Sequence, residues 1–440
     1  MNTCAPVLVI VDPYGPGASI APAFRERGWY CVALTTTARV PAPLAHTWRP
    51  ADFDQHLVHT QDLDGLVRSL NRLDPVGVVT GLETGSELTD ALCARLFPEY
   101  ANSGSRSAAR RDKAAMQRRL AEAGLASLRQ IRTADFAEAE SWLRSTGLHD
   151  APWVIVKPAR SAGADAVRRV RPGDGLRAAF EAMKGRRDAR GETERTVLVQ
   201  EWVRGTEYSV ETFSVGGVHE ICGVTRNSKR SSGSVVGIYD SVEFVAPEDP
   251  VCGRLLPYAH AVLDALGARF GPMCAEIMLR PEGPVLIELT PRLADGPVSS
   301  LSSLTTGRSQ LDRLVDFFHG RYRNSGYRLL RHGTSVFVTA HRSGVIRNPD
   351  SLRDLVNLPT VVRSTVSAPP GGWVLMASDV FSVLGCVLLA DRERSRVELD
   401  RRRIKRVERD LRIDRFEMIE PAVARRGTCV PEPRVRRRRR

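Results

Sequence analysis

The stretch Met273–Gly296, MCAEIMLRPEGPVLIELTPRLADG, carries two glutamates in apolar surroundings. Met273–Leu279 and Pro284–Thr290 each read as an apolar strand. Pro281, Glu282 and Gly283 between them are turn formers, so the spacing predicts a β-hairpin. With the turn centred on Glu282, Glu276 and Glu288 stand opposite each other, and the two-residue period of a strand projects both carboxylates from one face. Like charges directly across a ladder repel, and a cation between them removes the conflict. Mg2+ suits such a place, because carboxylate oxygens and substrate phosphates are its usual ligands. Arg292, just beyond Thr290, comes within reach of an anionic substrate beside that metal. An isolated glutamate pair at a sheet edge can also be merely solvated, so the rest of the chain has to decide.

The elements that would position this hairpin begin with a strand at Val7–Val11, a loop containing Gly15 and Gly17, a helix over Ser19–Arg27 and a second strand from Trp29 to Leu34. That is a βαβ beginning, with a loop that matches a dinucleotide fingerprint only in part and reads as a tight turn. A further strand, Val76–Thr80, leads through Gly81–Gly85 into a helix over Ser86–Leu96. Glu83 thereby lies at the carboxyl end of a strand, where open α/β sheets place ligands. Ser107-Ala-Ala-Arg-Arg-Asp-Lys113 opens a helix running to Ala123 and ending at Gly124, with Asp112 and Lys113 near its start; alone, Lys113 reads as solvated. Lys157 ends the apolar run Trp153–Val156 and is followed by Arg160-Ser-Ala-Gly-Ala-Asp165, small residues whose backbone N–H groups can approach a phosphate. No Walker sequence GxxxxGK[ST] occurs, which sets the ordinary P-loop fold aside. Thr196–Val203 is another strand, turning into a connector whose backbone around Glu201–Val203 can read a purine edge, with Glu207 placed to accept ribose hydroxyls. An antiparallel meander follows, Ser209–Val215 and Val218–Thr225 joined at Gly216-Gly217, with Arg226 and Lys229 just beyond. After a less regular stretch comes a helix over Tyr258–Leu266.

Composition narrows the class. A chain of 440 residues with 42% hydrophobic residues has ample material for several cores. The formal charge of +13 owes much to residues 425–440, which end in Arg436–Arg440. That tail reads as a solvated extension with at most nonspecific attraction for nucleic acid, and the body is only mildly basic. Eight cysteines without a CxxC pair argue against a zinc site and a disulfide framework, so a reducing cytoplasm is expected. No apolar run reaches the roughly 20 residues of a membrane span, and the first residues lack the basic region of a signal peptide. A homodimer is the commonest assembly for such a chain.

Taken in order, these pieces resemble the ATP-grasp superfamily, and within it the carboxylate-amine ligases of the L-amino acid (dipeptide) ligase type. The resemblance rests on VDPYGPGASIAPAFRERG, GLETGSELTDAL with Asn102, ARRDK, VIVKPARSAGADAV, LVQEWVRGTEYSVETFS, LGARFGPMCAEIML and LIELTPRLADG. SVFVTAHRSGVI, LPTVV and SVLGCVLLADRE are similar to the family's C-terminal lobe. It implies an α/β fold with an N-terminal open α/β (pre-ATP-grasp) domain over 1–106, a two-lobed ATP-grasp domain over 107–325, a C-terminal α+β lobe over 326–424, and the basic tail at 425–440.

By the same resemblance, Lys113, Lys157 and Arg226 belong to the ATP-binding set, with the loop at Ser161, Gly163 and Ala164 closing over the phosphates. Glu201 and Val203 would meet adenine, and Glu207 ribose. Glu276, Glu288 and Thr290 would bind Mg2+, and Arg292 would be catalytic. The implied reaction joins a small carboxylic acid to an amino acid-like amine through an acyl phosphate, with release of ADP and phosphate. Other ATP-grasp reactions, carboxylation or ligation to a thiol, would use the same ATP residues, and a nucleotide-binding regulator without catalysis is a further reading. Three positions depart from the family pattern: Thr290 where asparagine is usual, Cys274 where histidine is frequent, and Ala294-Asp295. They lie beside the inferred acyl-phosphate site and point to a substrate other than an ordinary α-amino acid, although Cys274 also reads as a small core residue.

Overall fold

A computed structural model describes residues 5–159, 166–186, 195–232, 235–294, 296–377 and 382–414. The first strands are β1 (Val7–Val11), β2 (Tyr30–Thr35), β3 (Gln55–Val58) and β4 (Pro75–Thr80). They form a parallel sheet in the order β3-β2-β1-β4. Apolar runs such as VLVIV suit a sheet covered on both faces. Helices Leu63–Asn71 and Ser86–Leu96 cover one face. On the other, Leu8 and Ile10 join Phe24 of the helix Ile20–Arg25 and Leu314 of the helix Gln310–Phe318 in one core. The glycine loop is a tight turn: a Cβ on Gly17 would lie 2.4 Å from the Cα of Gly81. Backbone therefore touches backbone there, and the loop that carries Glu83 is fixed against the end of β1. The edge strand β3 and the helix after it have no counterpart in the sequence reading, because QHLV is half exposed and lacks a buried run.

The second sheet holds β5 (Gln130–Thr133), β6 (Val154–Lys157), β7 (Arg168–Val170), β8 (Val197–Glu201), β9 (Thr206–Val215), β10 (Val218–Ser232), β11 (Val235–Val245), β12 (Gly271–Arg280) and β13 (Gly283–Thr290). Their order is β13-β12-β9-β10-β11-β7-β6-β8-β5. Between β11 and β7 the only paired residues described are Val235 and Arg168, so β5 to β8 form a lobe hung on the larger part by a narrow bridge. The helix Pro250–Ala265, capped by Asp249, packs its apolar side under β9, β12 and β13. It begins earlier than its sequence pattern indicates and contains Pro257. On the outer edge β11 pairs with β14 (His332–Thr339). The short β15 (Gly344–Ile346) comes next, then β16 (Val361–Ser364), the short β17 (Trp373–Val374), β18 (Val383–Asp391) and the short β19 (Ile413–Asp414). β14 extends the sheet to β18 and β16, the three short strands make a small sheet of their own, and the helix Arg394–Arg409 packs against β14 and β18.

One segment departs from expectation. The stretch beyond Thr225, read as irregular, continues as β10 to Ser232 and returns as β11. Its polar run RNSKRSS hides a strand because both faces of that strand are polar, and a strand with no apolar face leaves no period-two signal.

Candidate active site

β12 and β13 form the expected hairpin, and Glu276 pairs with Glu288. The route to that register differs from the one the spacing suggested. Arg280 pairs with Gly283, so the turn is Pro281-Glu282, and a bulge at Ile287 then brings Glu288 opposite Glu276. On the neighbouring strand, Glu276 faces Ser209 and Met278 faces Glu207. Asn227 of β10 lies opposite Glu207. Directly paired residues share a side of the sheet, so one face gathers Glu207, Ser209, Asn227, Glu276 and Glu288. The other face carries Tyr208, Val210, Ala275, Ile277 and Leu289 into the core.

Each carboxylate of this face meets a lysine. Lys113 Nζ donates to Glu288 Oε1 at 2.8 Å. Lys229 Nζ lies 2.6 Å from Glu207 Oε1 and 3.9 Å from Glu276 Oε2. Lys113 is buried rather than solvated, because its helix starts against β6: Asp112 caps the first turn through Ala114 and Ala115, and the Lys113 backbone N–H donates to the Ala159 carbonyl. Lys157 Nζ donates to Gln200 Oε1 at 2.9 Å. Gln200 Nε2 donates to Gln130 Oε1 at 2.6 Å, and Gln130 Nε2 to the Lys113 carbonyl at 2.8 Å. Two glutamine amides thus connect the two lysines, a relay that the sequence reading missed although Gln200, a lone polar residue in the run VLVQE, marks it.

Burial, reinforced by the charge of Lys113, pushes the Lys157 pKa down to about 7 against the pull of Glu288 and Glu276. Burial also raises Glu276; Lys229 opposes this, while Glu207 and Glu288 add to it. An anion beside Lys157 and a cation beside Glu276 would each oppose these shifts. Among the described residues no group of three or more His, Cys, Asp or Glu could hold a metal by itself. A cation here fits as Mg2+ commonly does, on two carboxylates with substrate phosphates completing its shell.

The remaining expected residues divide. Arg292 is buried, donates from Nε to Glu83 Oε2 at 2.6 Å, and so ties the hairpin to the loop after β4. Burial works against the Glu83 carboxylate, yet Arg292, with a smaller contribution from Lys113, holds its pKa below the usual value. The Thr290 hydroxyl donates across the hairpin to the Cys274 carbonyl at 3.4 Å. Glu201 uses its side chain on Arg129, accepting from the backbone N–H at 2.8 Å and from Nε at 3.0 Å, which leaves only its backbone for a ligand. Val203 is half-buried in the connector between β8 and β9. Arg226 is not brought to this face. It lies opposite Tyr208, on the far side of the sheet, and pairs with Glu243. Ser161, Gly163, Ala164 and Asp295 lie outside the described residues.

Residues 150–300 match the ATP-grasp domain family. Dapdiamide A synthase of Enterobacter agglomerans is 30% identical over 311 residues, covering 70% of this chain and 72% of its own length. Among solved structures, an L-amino acid ligase from Bacillus licheniformis superposes with a TM-score of 0.71 at 17% identity, over 93% of this chain and 98% of that one. An N5-carboxyaminoimidazole synthetase from Staphylococcus aureus complexed with ADP gives a TM-score of 0.65 at 13% identity, over 92% and 98%. At such identities the two structures speak for the fold alone.

Proposed function

This chain belongs to the ATP-grasp family of ATP-dependent carboxylate-amine ligases, and on that premise we propose that it joins a small carboxylic acid to an amino acid-like amine at the face shared by β9, β10, β12 and β13. The observation that carries this reading is the opposition of Glu276 and Glu288, each beside a lysine, with Lys113 and Lys157 linked through Gln130 and Gln200. ATP with Mg2+, when bound, supplies the phosphoryl group that turns the acid's carboxylate into an acyl phosphate, from which phosphate leaves as the amine adds.

The chain's own residues would do the rest. Lys113 and Lys157 neutralise phosphate oxygens, and Lys157 gains its proton as the anion arrives. Glu276 and Glu288 would hold the divalent cation, and Lys113 and Lys229, which balance the carboxylate charge of this face, would then turn toward the ligand. Glu207, steadied by Asn227 at 3.1 Å, is placed for ribose hydroxyls, and the backbone of Glu201 to Val203 for adenine. Arg292, kept in place by Glu83, supplies a guanidinium where negative charge develops on the carbonyl and the departing phosphate. The amine has only to arrive deprotonated and aligned. A reducing cytoplasm is the place of work in this reading, in keeping with eight cysteines that include no CxxC pair. No helix among the described residues is long and apolar enough to cross a membrane.

The test is incubation of the protein with ATP, Mg2+, a panel of carboxylic acids and hydroxylamine. Hydroxamate with stoichiometric ADP is expected; AMP in place of ADP would reject the acyl-phosphate route.

A further inference from the structure

On the side of β10 and β11 turned away from the candidate active site, a cavity of about 470 Å3 lies between these strands and the helix Arg394–Arg409. Every side chain lining it is polar. Arg226, Arg394 and Arg401 bring three guanidinium groups, and Ser228, Ser241 and Ser395 three hydroxyls. The strand register builds this wall, since Arg226 pairs with Glu243 and Ser228 with Ser241. Between them along β10, Asn227 points the other way and meets Glu207. Two residues on from Asn227, Lys229 comes by the same alternation to that active-site side, and the bulge in this stretch falls on β11, at Asp240.

The guanidinium groups are held in place by two glutamates that also line the cavity. Glu243 binds Arg226 and, at 2.9 Å, Arg394. Glu398 accepts from Arg401 Nε at 2.7 Å and Nη2 at 2.9 Å. Hydrogen bonds from Arg401 and Arg402 outweigh burial and hold the Glu398 pKa at about 2, so this anchor stays charged.

Donors nevertheless exceed acceptors. Each guanidinium carries five N–H groups, and the two carboxylates take only some of them. Ser241 is 5% exposed, and its hydroxyl makes no hydrogen bond with another described residue. Three arginines against two glutamates leave one net positive charge in the wall. A tetrahedral anion with several acceptor oxygens matches such converging donors better than a planar carboxylate does. The volume also leaves room beside a single phosphate for a small organic group.

We propose that this cavity binds a phosphoryl group, free or as the ester of a small metabolite. The site is separate from the ligase reading, and because β10 lines both places, its occupant would sit across one strand from Asn227 and Glu207.

The experiment uses the full chain with its nucleotide site filled by Mg2+ and a nonhydrolysable ATP analogue, titrated calorimetrically with inorganic phosphate and with glycerol 3-phosphate. We expect one saturable site per chain, weakened tenfold or more in Arg394→Ala and in Ser241→Leu. Analogue binding retained in each variant shows that it is folded, and if one fails this check the other carries the test. Tighter binding of the ester assigns the site to a phosphorylated metabolite, and equal binding assigns it to the phosphoryl group alone. No saturable binding of either anion, or binding of unchanged affinity in a folded variant, overturns the proposal.

Discussion

Burial and the charge of Lys113 push the Lys157 pKa down to about 7, so at pH 8 the unliganded protein keeps most of this side chain neutral. A triphosphate favours the charged form, and binding of the Mg2+-ATP analogue at pH 8 should therefore take up about one proton. Calorimetry in buffers of different ionisation enthalpy measures this, and Lys157→Met should abolish the uptake while weakening the analogue roughly tenfold or more. The same lysine affects stability. Its folded pKa lies below that of an unfolded lysine, so between about 7 and 10.5 the unfolded chain binds more protons and stability rises with pH. Lys157→Met should flatten that rise in a pH series of denaturant melts. Arg292 makes a different kind of contribution. Arg292→Lys keeps a charge but loses the fork that meets Glu83 and the reacting oxygens, and kcat for hydroxamate formation should drop about 100-fold or more while analogue affinity changes by less than about threefold. These residue types were legible in the sequence, since a lysine ending an apolar strand and two glutamates on a hairpin are local patterns. The Glu83–Arg292 pair was not, because it joins residues far apart in the chain.

Asp112 shows how an element positions chemistry. It caps the helix Lys113–Glu122 by accepting from Ala114 and Ala115, and it also accepts from Arg132 Nη1 at 2.8 Å. Asp112→Ala should cost about 1–2 kcal/mol of stability in denaturant melts, and it should raise KM for ATP more than it lowers kcat, because the cap holds Lys113 at the site. The helix could be read from the chain, with Asp112 near its start, but the cap itself is seen only in the structure. The bulge at Ile287 could not be read either, because a bulge answers to the partner strand as much as to its own sequence. The end of β10 beyond Thr225 resisted reading for a related reason. Asn227 and Lys229 serve one site while Arg226 and Ser228 line a cavity behind the sheet, so no apolar period betrays the strand.

The whole molecule depends on a core that ignores the boundary drawn near residue 106. Leu8, Ile10, Phe24 and Trp29 pack in one cluster with Phe213, Phe270, Leu293 and Leu314. Arg110, fully buried, donates to Asp90 at 2.6 Å and to the Leu266 carbonyl at 2.7 Å, and Asn102 accepts from the backbone of Arg269 and Phe270. A chain starting at residue 107 would expose this core, so Phe270→Ala should cost about 3–5 kcal/mol and still leave a single unfolding transition for both parts, by calorimetry and fluorescence alike. The order of motifs made the fold class legible, but not this shared core, since which apolar faces meet is decided only when the sheets assemble. The central claim, that Glu276 and Glu288 hold a divalent cation against phosphates gripped by Lys113 and Lys157, is tested most directly by Mn2+ titration followed by electron paramagnetic resonance, with and without the ATP analogue. The analogue should tighten Mn2+ binding at least tenfold in the natural protein and have little effect in Glu276→Gln or Glu288→Gln. Undiminished tightening in both variants would contradict it.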